Sequence, residues 1–561
     1  MLQKIVVCVL FFLSAAKINN TSADQQRQSA NSFKLKIIHF NDLHAMYDEI
    51  TPKSKPCEGS NCVGGIARLA TTINRLKGEN SNHLILNAGD VFQGTVWYNL
   101  LKWNVSQYFM NLLGAQAMVL GNHEFDDTIA GLVPFLEATK GVTPVLVSNL
   151  VIPEGDQSEN VTRIKDLVKR EPFVINVGGK QVGIIGVIFD GTDKLSLTAP
   201  IKFRNSVDTV REQSKKLKQA GVEIVVVLSH CGIVDDRLIA EQAGDDIDVI
   251  AGGHSHTLLW NEEKAPSGHD VYGRYPLVIN SSGGHRVLIV QALCHGLYVG
   301  NVDLGFDEEG EIVEFEGSPV YQDSKLEKDA EIDAELQKWK KVVAEKSLIV
   351  VGETKVELDN ECREKECKIG STLADAYLWY FRNRTNPPKI AFIHAGTFRN
   401  SLQVGNITTG QIMNALPFST YASVIKISGK TLEKAIDFGS WMNRRCKRNL
   451  LQVAGIKAGV DYSKPEGSKT MIFIKVGDGY QFLDVNQEYV VVTNSYIVKG
   501  GDDFDMFEGV SVEERGPIDS ELLQLYFGAD NGFNEESLSE NRIQLRNPQL
   551  SSEEIQKCLK S

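Results

Sequence analysis

Five short apolar runs in the first half of the chain end in residues that bind metals, and this recurrence restricts the fold more than any other feature. Ala117-Met118-Val119-Leu120 runs into Gly121-Asn122-His123-Glu124-Phe125-Asp126. Leu35 to Phe40 is followed by Asn41-Asp42-Leu43-His44, and Leu84 to Asn87 by Gly89-Asp90. Val222 to Ser229 leads to His230, and Val249 to Ala251 to Gly252-Gly253-His254-Ser255-His256. Such runs, like Val182 to Phe189, read as strands, and helical patterns separate them. The region 33–320 is therefore expected to be a layered α/β domain. Sheets of this kind gather ligands beyond the carboxyl ends of their strands.

Any one of these histidines alone would read as a core or surface residue. As a set, Asp42, His44, Asp90, Asn122, His230, His254 and His256 supply what two four-coordinate cation sites need when one Asp is shared. Imidazole and carboxylate ligands without thiolate suit zinc, with manganese, magnesium and calcium as alternatives. Two divalent cations about 3.5–4 Å apart clamp an in-line displacement at phosphorus.

At 561 residues the chain exceeds one hydrophobic core. Residues 323–348 are rich in Lys and Glu, with Ile332, Leu336, Trp339 and Val343 at helical spacing, and read as a connector helix. A second α/β region follows at 349–545, with strands expected at Lys389 to His394, Thr470 to Val476 and Tyr489 to Thr493. The formal charge of −13 argues against a nucleic-acid partner. It also means that an anionic substrate needs local cations to hold it.

Residues 1–23 read as a secretory signal, with Lys4 ahead of a short apolar core and small residues for cleavage. No other stretch has the about 18 consecutive apolar residues of a membrane span, and the polar C-terminus lacks a lipid-anchor tail. The expected location is extracellular, without a membrane anchor. Eight cysteines remain after the signal. Cys57 with Cys62 and Cys362 with Cys367 are close enough to form small disulfide loops. The sequence leaves Cys231, Cys294, Cys446 and Cys558 unassigned. Sequons at Asn104, Asn160, Asn280, Asn383 and Asn406, with Asn19 and Asn20 beside the signal, fit glycosylation.

The segments HFNDLHA, NAGDVFQG, LGNHEFD, LSHCG and GGHSH, in this order, resemble the 5′-nucleotidase family, which includes apyrases and UDP-sugar hydrolases. The resemblance covers almost the whole chain after the signal. It implies an N-terminal four-layer metallophosphatase-type α/β domain, a connector helix and a C-terminal α/β substrate-binding domain. One metal would be held by Asp42, His44, Asp90 and His256, the other by Asp90, Asn122, His230 and His254. His123 and Asp126 would be the catalytic dyad, a His oriented by a carboxylate to stabilise charge on the phosphoryl or leaving oxygens.

CREKECKIGSTLADA, HAGTFRN, ALPFST, LQVAGI and TNSYIVKGGDDF extend the resemblance through the C-terminal domain, which in relatives binds the nucleoside. By this resemblance Arg363 and Arg399 approach the phosphates, Phe418 and Tyr496 sandwich the base, and Asp502 bonds the ribose. His394, ahead of Gly396, replaces a base-contacting Asn of relatives, and Met46 replaces a basic residue near the metals. Relatives move one domain against the other to carry substrate to the metals. The signal, the free C-terminus and Met46 resemble the soluble apyrases in the saliva of blood-feeding arthropods, where removal of ADP blocks platelet aggregation. The expected activity is hydrolysis of ATP and ADP to AMP. The alternatives are a 5′-nucleotidase acting on AMP, a UDP-sugar hydrolase, or a silent protein that binds nucleotides or a platelet receptor. The sequence leaves the oligomeric state open.

Overall fold

Strands covered on both faces need aliphatic side chains at successive positions rather than alternate ones, which is why the runs above carry no polar alternation. The computed structural model describes residues 33–546 except 56, 58, 60, 419, 442–447, 465–469 and 540. The expected signal at 1–23, Asn19, Asn20, Cys446 and Cys558 lie outside the described residues. The chain divides into two units, Met1–Gln93 with Leu101–Lys338, and Gly94–Leu100 with Trp339–Ser561.

In the first unit β1 (Phe33–Phe40), β2 (His83–Asn87) and β3 (Ala117–Val119) run parallel in one sheet. A second sheet holds β4 (Lys180–Ile188), β5 (Ile224–His230) and β6 (Val249–Gly252), also parallel. Leu35, Ile37, Leu84, Leu86 and Ala88 pack against Ile184, Val226, Leu228 and Ala251 between the sheets. Val225, Val227 and Ile250 pack instead with Leu217, Ile239 and Ala240 of the helices Ser206–Gln219 and Ile233–Ala243. The helix Ile66–Glu79 packs against the first sheet. The result is helix, sheet, sheet, helix. Each buried aliphatic side chain contributes about 1.5–3 kcal/mol, so the interior of this sandwich is the main source of stability.

β7 (Tyr298–Phe306) pairs antiparallel with β1 along its length and extends the first sheet. The sequence pattern marks no strand there, because Gly300, Asn301 and Asp303 interrupt its apolar run. The connector helix begins at Ala330 rather than at 323, where the Asp329 carboxylate accepts the N–H groups of Glu331 and Ile332, each at 3.1 Å. It ends at Ser347, with Ile332 and Leu336 buried and Trp339 and Val343 half-buried, and the two units divide within it.

In the second unit a sheet orders Leu451–Ala454, Ile390–His394, Glu488–Asn494, Tyr421–Ser428 and Val512–Ile518. The helices Lys368–Tyr380 and Asp519–Gly528 share one core with it, and the helix Gly429–Ser440 shares another. The Cys57–Cys62 and Cys362–Cys367 disulfides are both formed, and Cys231 and Cys294 are buried free thiols. Asn104, Asn280, Asn383 and Asn406 are exposed and Asn160 is half-buried. Among the described residues no helix is long and apolar enough to cross a membrane.

The two sheets of the first unit are in close contact where Gly186 of β4 meets Leu146, since a Cβ at Gly186 would lie 2.5 Å from the Leu146 Cβ. Gly186→Val should therefore force the layers apart and destabilise the first unit by about 1–3 kcal/mol. The check is a lower midpoint for that unit in chemical unfolding.

Candidate metal centre and nucleotide site

β1, β2, β5 and β6 each deliver one or two polar side chains to the same place beyond their carboxyl ends, and the turn after β3 lays the Gly121 and His123 backbone against Asp90. Asp42 and His44 follow β1, Asp90 follows β2, Asn122 follows β3, His230 ends β5, and His254 and His256 follow β6. Two groupings with ligand atoms close together are Asp42 with His44 and His256, and Asp90 with His230 and His254. The His44 and His256 Nε2 atoms are 3.0 Å apart, and His256 Nε2 is 3.3 Å from Asp42 Oδ1. Asp90 Oδ2 lies 3.8 Å from His44 Nε2 and 3.1 Å from His230 Nε2, so one oxygen reaches toward both groupings. Zinc–nitrogen bonds of about 2.0–2.1 Å put tetrahedral ligands roughly 3.3 Å apart. These separations suit cations of that size.

Unsatisfied atoms support the same fit. The buried Asn122 Oδ1 and His230 Nε2 have no hydrogen-bond partner, although polar atoms at such depth are normally paired. His230 Nδ1 donates to the Ala88 carbonyl at 2.6 Å, which leaves Nε2, 3.1 Å from Asp90 Oδ2, as the nitrogen that would ligate a cation once it gives up its proton. Backbone strain is concentrated here too. Asp42, His44, Asp90, His254 and His256 all have φ between 50° and 72°, where non-glycine residues rarely sit.

The charged groups of the cluster shift one another strongly. Burial raises the Asp42 carboxyl, but His256 and His230 outweigh it and hold the group below its usual range. Burial likewise opposes ionisation of Asp90, yet His230 and His123 hold that carboxyl well below the ordinary value. Burial alone would lower His230 and His256, but Asp90 pushes the first up to about 9 and Asp42 the second up to about 11. Burial lowers His44 to about 3 and His254 to about 4.

Beside this cluster His123 Nδ1 donates to Asp126 Oδ2 at 2.7 Å, and Ser196 Oγ donates to Asp126 Oδ1 at 3.1 Å. His123 also donates its backbone N–H to Asp90 Oδ1 at 2.9 Å, leaving Asp90 Oδ2 as the oxygen facing the histidines. Sequence reasoning passed over Glu124, within the same hexapeptide. Its buried carboxylate accepts the N–H groups of Asp90, Val91, Phe92 and Gly121 at 2.5–3.0 Å and so fixes the turn that carries Asp90. Burial, then the Asp90 charge, push Glu124 up to about 7 against these bonds. Asn41 was missed in the same way. It donates to Asp42 Oδ2 at 2.7 Å and to the Leu293 carbonyl at 2.6 Å. Met46 packs onto the apolar cluster that includes Ile50, Val63 and Leu258.

The second unit gathers most of the remaining candidates at the ends of two adjacent strands. His394 closes Ile390–His394 and stacks on Tyr496 at 5.0 Å between ring centres. Tyr496 donates to Asp502 Oδ1 at 3.0 Å, and Asn449 donates to Asp502 Oδ2 at 3.0 Å. Arg363 donates to the Asn449 side chain and, at 2.9 Å, to the Arg448 carbonyl. Asn449 thus ties Arg363 to Asp502, a role that its sequence neighbourhood does not signal. Gly501 backs directly onto the Tyr496 ring, and Gly396 lies against His394 and Arg363, so neither position has room for a side chain. Arg399 lies over the Phe418 ring, 4.8 Å from its centre. Phe418 and Tyr496 are each 40% exposed, leaving ring surface for a ligand, although each already has one stacking partner. Desolvation lowers His394 to about 4, so it is neutral near pH 7.

Residues 35–258 match the calcineurin-like phosphoesterase model and residues 350–509 the 5′-nucleotidase C-terminal domain model. An apyrase of Anopheles gambiae is 40% identical over 92% of this chain and 91% of its own. The chain belongs to the 5′-nucleotidase family. Within that family a 5′-nucleotidase-related protein of Glossina morsitans morsitans is 36% identical over 84% of this chain and 88% of its own. The solved structure of a 5′-nucleotidase precursor from Thermus thermophilus is 31% identical, covers 92% of this chain and 100% of its own, and superposes with a TM-score of 0.60. The calcineurin-like fold implies a dimetal centre, and the clustered Asp and His residues fit one.

Cation loading must expel the protons that His230 and His256 hold, since an imidazole ligates only when that nitrogen is unprotonated. Both histidines are raised, to about 9 and about 11, so the competition is strongest at low pH and eases as pH rises. Apparent metal affinity should therefore climb between about pH 6 and pH 9, with proton release on loading. Titration of metal-free protein in weak buffer would detect both, and a pH-independent affinity would contradict the assignment.

Proposed function

We propose that the protein is an exported dimetal nucleotide phosphohydrolase, an apyrase that converts ATP and ADP to AMP and phosphate. The observation that carries this reading is the convergence of Asp42, His44, Asp90, His230, His254 and His256 beside the His123–Asp126 pair, with the buried Asn122 Oδ1 lacking a hydrogen-bond partner. The retention of all seven argues against a silent binding protein. Similarity to the Anopheles gambiae apyrase favours ATP and ADP as substrates. The formed disulfides and exposed sequons support export. We assign 33–320 to the phosphatase domain, 323–348 to the connector and 349–545 to nucleotide binding.

Asp42, His44, Asp90 and His256 would hold one cation, and Asp90, Asn122, His230 and His254 the other, with zinc the metal best suited to this nitrogen and oxygen set. Bound there, the pair would polarise the phosphoryl oxygens and acidify a water molecule. Asp126 holds the His123 Nδ1–H, so Nε2 is the nitrogen that serves the substrate, donating a hydrogen bond to the phosphoryl oxygens or a proton to the departing oxygen. Ser196 keeps Asp126 in place for that task. In the second unit Arg363 and Arg399 would take phosphate oxygens, their planar guanidinium groups matching the geometry of an oxyanion. Phe418 and Tyr496 would stack the base, Asp502 would accept the ribose hydroxyls, and neutral His394, with Gly396 leaving room, would meet the base edge.

The Glossina and Thermus relatives favour a second reading, cleavage of AMP to adenosine. Phosphate release from ATP, ADP and AMP by purified protein, with chelated controls, separates the two. Release from ATP and ADP alone is the expected result, release from AMP would move the assignment to 5′-nucleotidase, and no release from a metal-loaded sample would sink both. His123→Ala should lower turnover by about 10²–10⁴-fold while leaving metal content unchanged, and full activity in that variant would remove His123 from the mechanism.

A further inference from the structure

A basic groove lies on the first unit, and none of its lining residues belongs to the metal cluster or the dyad. It has a volume of about 640 Å³ and is lined by Lys165, Lys169, Arg170, Arg204 and Lys216, with Glu171 and Glu212 the carboxylates among its walls. An adjoining hollow of about 350 Å³ shares Lys165 and Arg170 but adds the carboxylates Glu154 and Asp156, so the excess of positive charge belongs to the larger groove alone. Five cations against two carboxylates leave a local excess of three positive charges in a chain whose formal net charge is −13. Both carboxylates are already engaged, because Lys216 reaches Glu171 at 3.6 Å and Glu212 at 3.0 Å, and Arg204 reaches Glu212 at 3.3 Å. Among the described residues Lys165, Lys169 and Arg170 have no carboxylate at ion-pair distance, although Lys169 lies 5.9 Å from the Phe173 ring centre.

Such a concentration of cations within an acidic protein repels itself unless an anion covers it. Lys165, Lys169, Arg204 and Lys216 are exposed and Arg170 half-exposed, so a single small anion would gain little from any one of them in water. A chain of closely spaced negative charges engages all of them together and releases its condensed counterions, which is where affinity for exposed cations comes from. We propose that this groove binds a sulfated polysaccharide and so retains the protein at surfaces that carry such chains. Nucleic acid is the poorer fit: Phe173 is the one aromatic side chain in the groove, and stacking is what unpaired bases require. The proposal uses the export reading only to place the ligand, and its test does not depend on nucleotide hydrolysis.

The experiment is binding of a fluorescent heparin oligosaccharide to the full-length glycosylated protein at increasing salt, alongside a Lys165→Gln, Lys169→Gln, Arg170→Gln triple variant. The wild-type protein should bind at low salt. The variant should bind about tenfold or more weakly, with the slope of log affinity against log salt smaller by about 2–3. ATP and ADP hydrolysis should be the same in both proteins. Failure of the wild-type protein to bind, or equal binding by the variant, would overturn the proposal. Equal affinity for desulfated heparin would remove sulfate as the recognised group. Tighter binding of single-stranded DNA of equal length would move the assignment to nucleic acid.

Discussion

Two carboxylates buried side by side are the constraint on which the first unit depends. Asp42 is fully buried and Asp90 is 2% exposed, where an ionised carboxylate is very unfavourable unless positive charge answers it. The protein answers with histidines from strands far apart in sequence and with backbone N–H groups. His254 donates its N–H to both Asp42 oxygens at 3.0 Å, and His123 donates its N–H to Asp90. The same histidines that neutralise the carboxylates are positioned to ligate cations. A metal site and an electrostatic repair are here the same set of atoms.

The strained loops follow from that requirement. Strained φ/ψ values of this kind cost about 1–3 kcal/mol each and survive only where the surroundings fix them. The first and second loops hold each other, through Asp42 N–H to the Gly89 carbonyl, His44 N–H to Asp90 and Ala45 N–H to Val91, at 2.9–3.2 Å. Glu124 then ties the second loop to the third through four backbone N–H groups. The Gly121 backbone lies so close to Asp90 that no side chain would fit there. Loop conformation, carboxylate placement and the position of the His123–Asp126 pair are thus coupled, and disturbing one disturbs all three.

The second unit solves a different problem with neutral or self-paired groups. Its cations are already partnered, Arg363 by Asn449 and a carbonyl and Arg399 by the Phe418 ring. Its Asp502 is held by Tyr496 and Asn449. A ligand would exchange one set of hydrogen bonds for another. Recognition of this type depends more on geometry than on net charge, as an acidic protein that handles an anionic nucleotide requires.

The sequence by itself determined the parallel strands, the residues at their carboxyl ends and the two-unit organisation, because each of these is written in local order. A short apolar run bounded by turn residues favours a buried strand, and the Gly, Asn, His or Asp that follows it then sits at its end. The family resemblance singled out His123 and Asp126, which share one turn and are hydrogen-bonded to each other. Only the tertiary structure decided what those residues do to one another. That Glu124 clamps the Asp90 turn, that Asn449 joins Arg363 to Asp502 and that β7 extends the first sheet all depend on partners distant in sequence. So does the basic groove, whose cations come from the helix Glu159–Leu167, the segment after it, Arg204 and the helix Ser206–Gln219. Hydrogen bonds and charge act through space, and a sequence records only the neighbours along the chain.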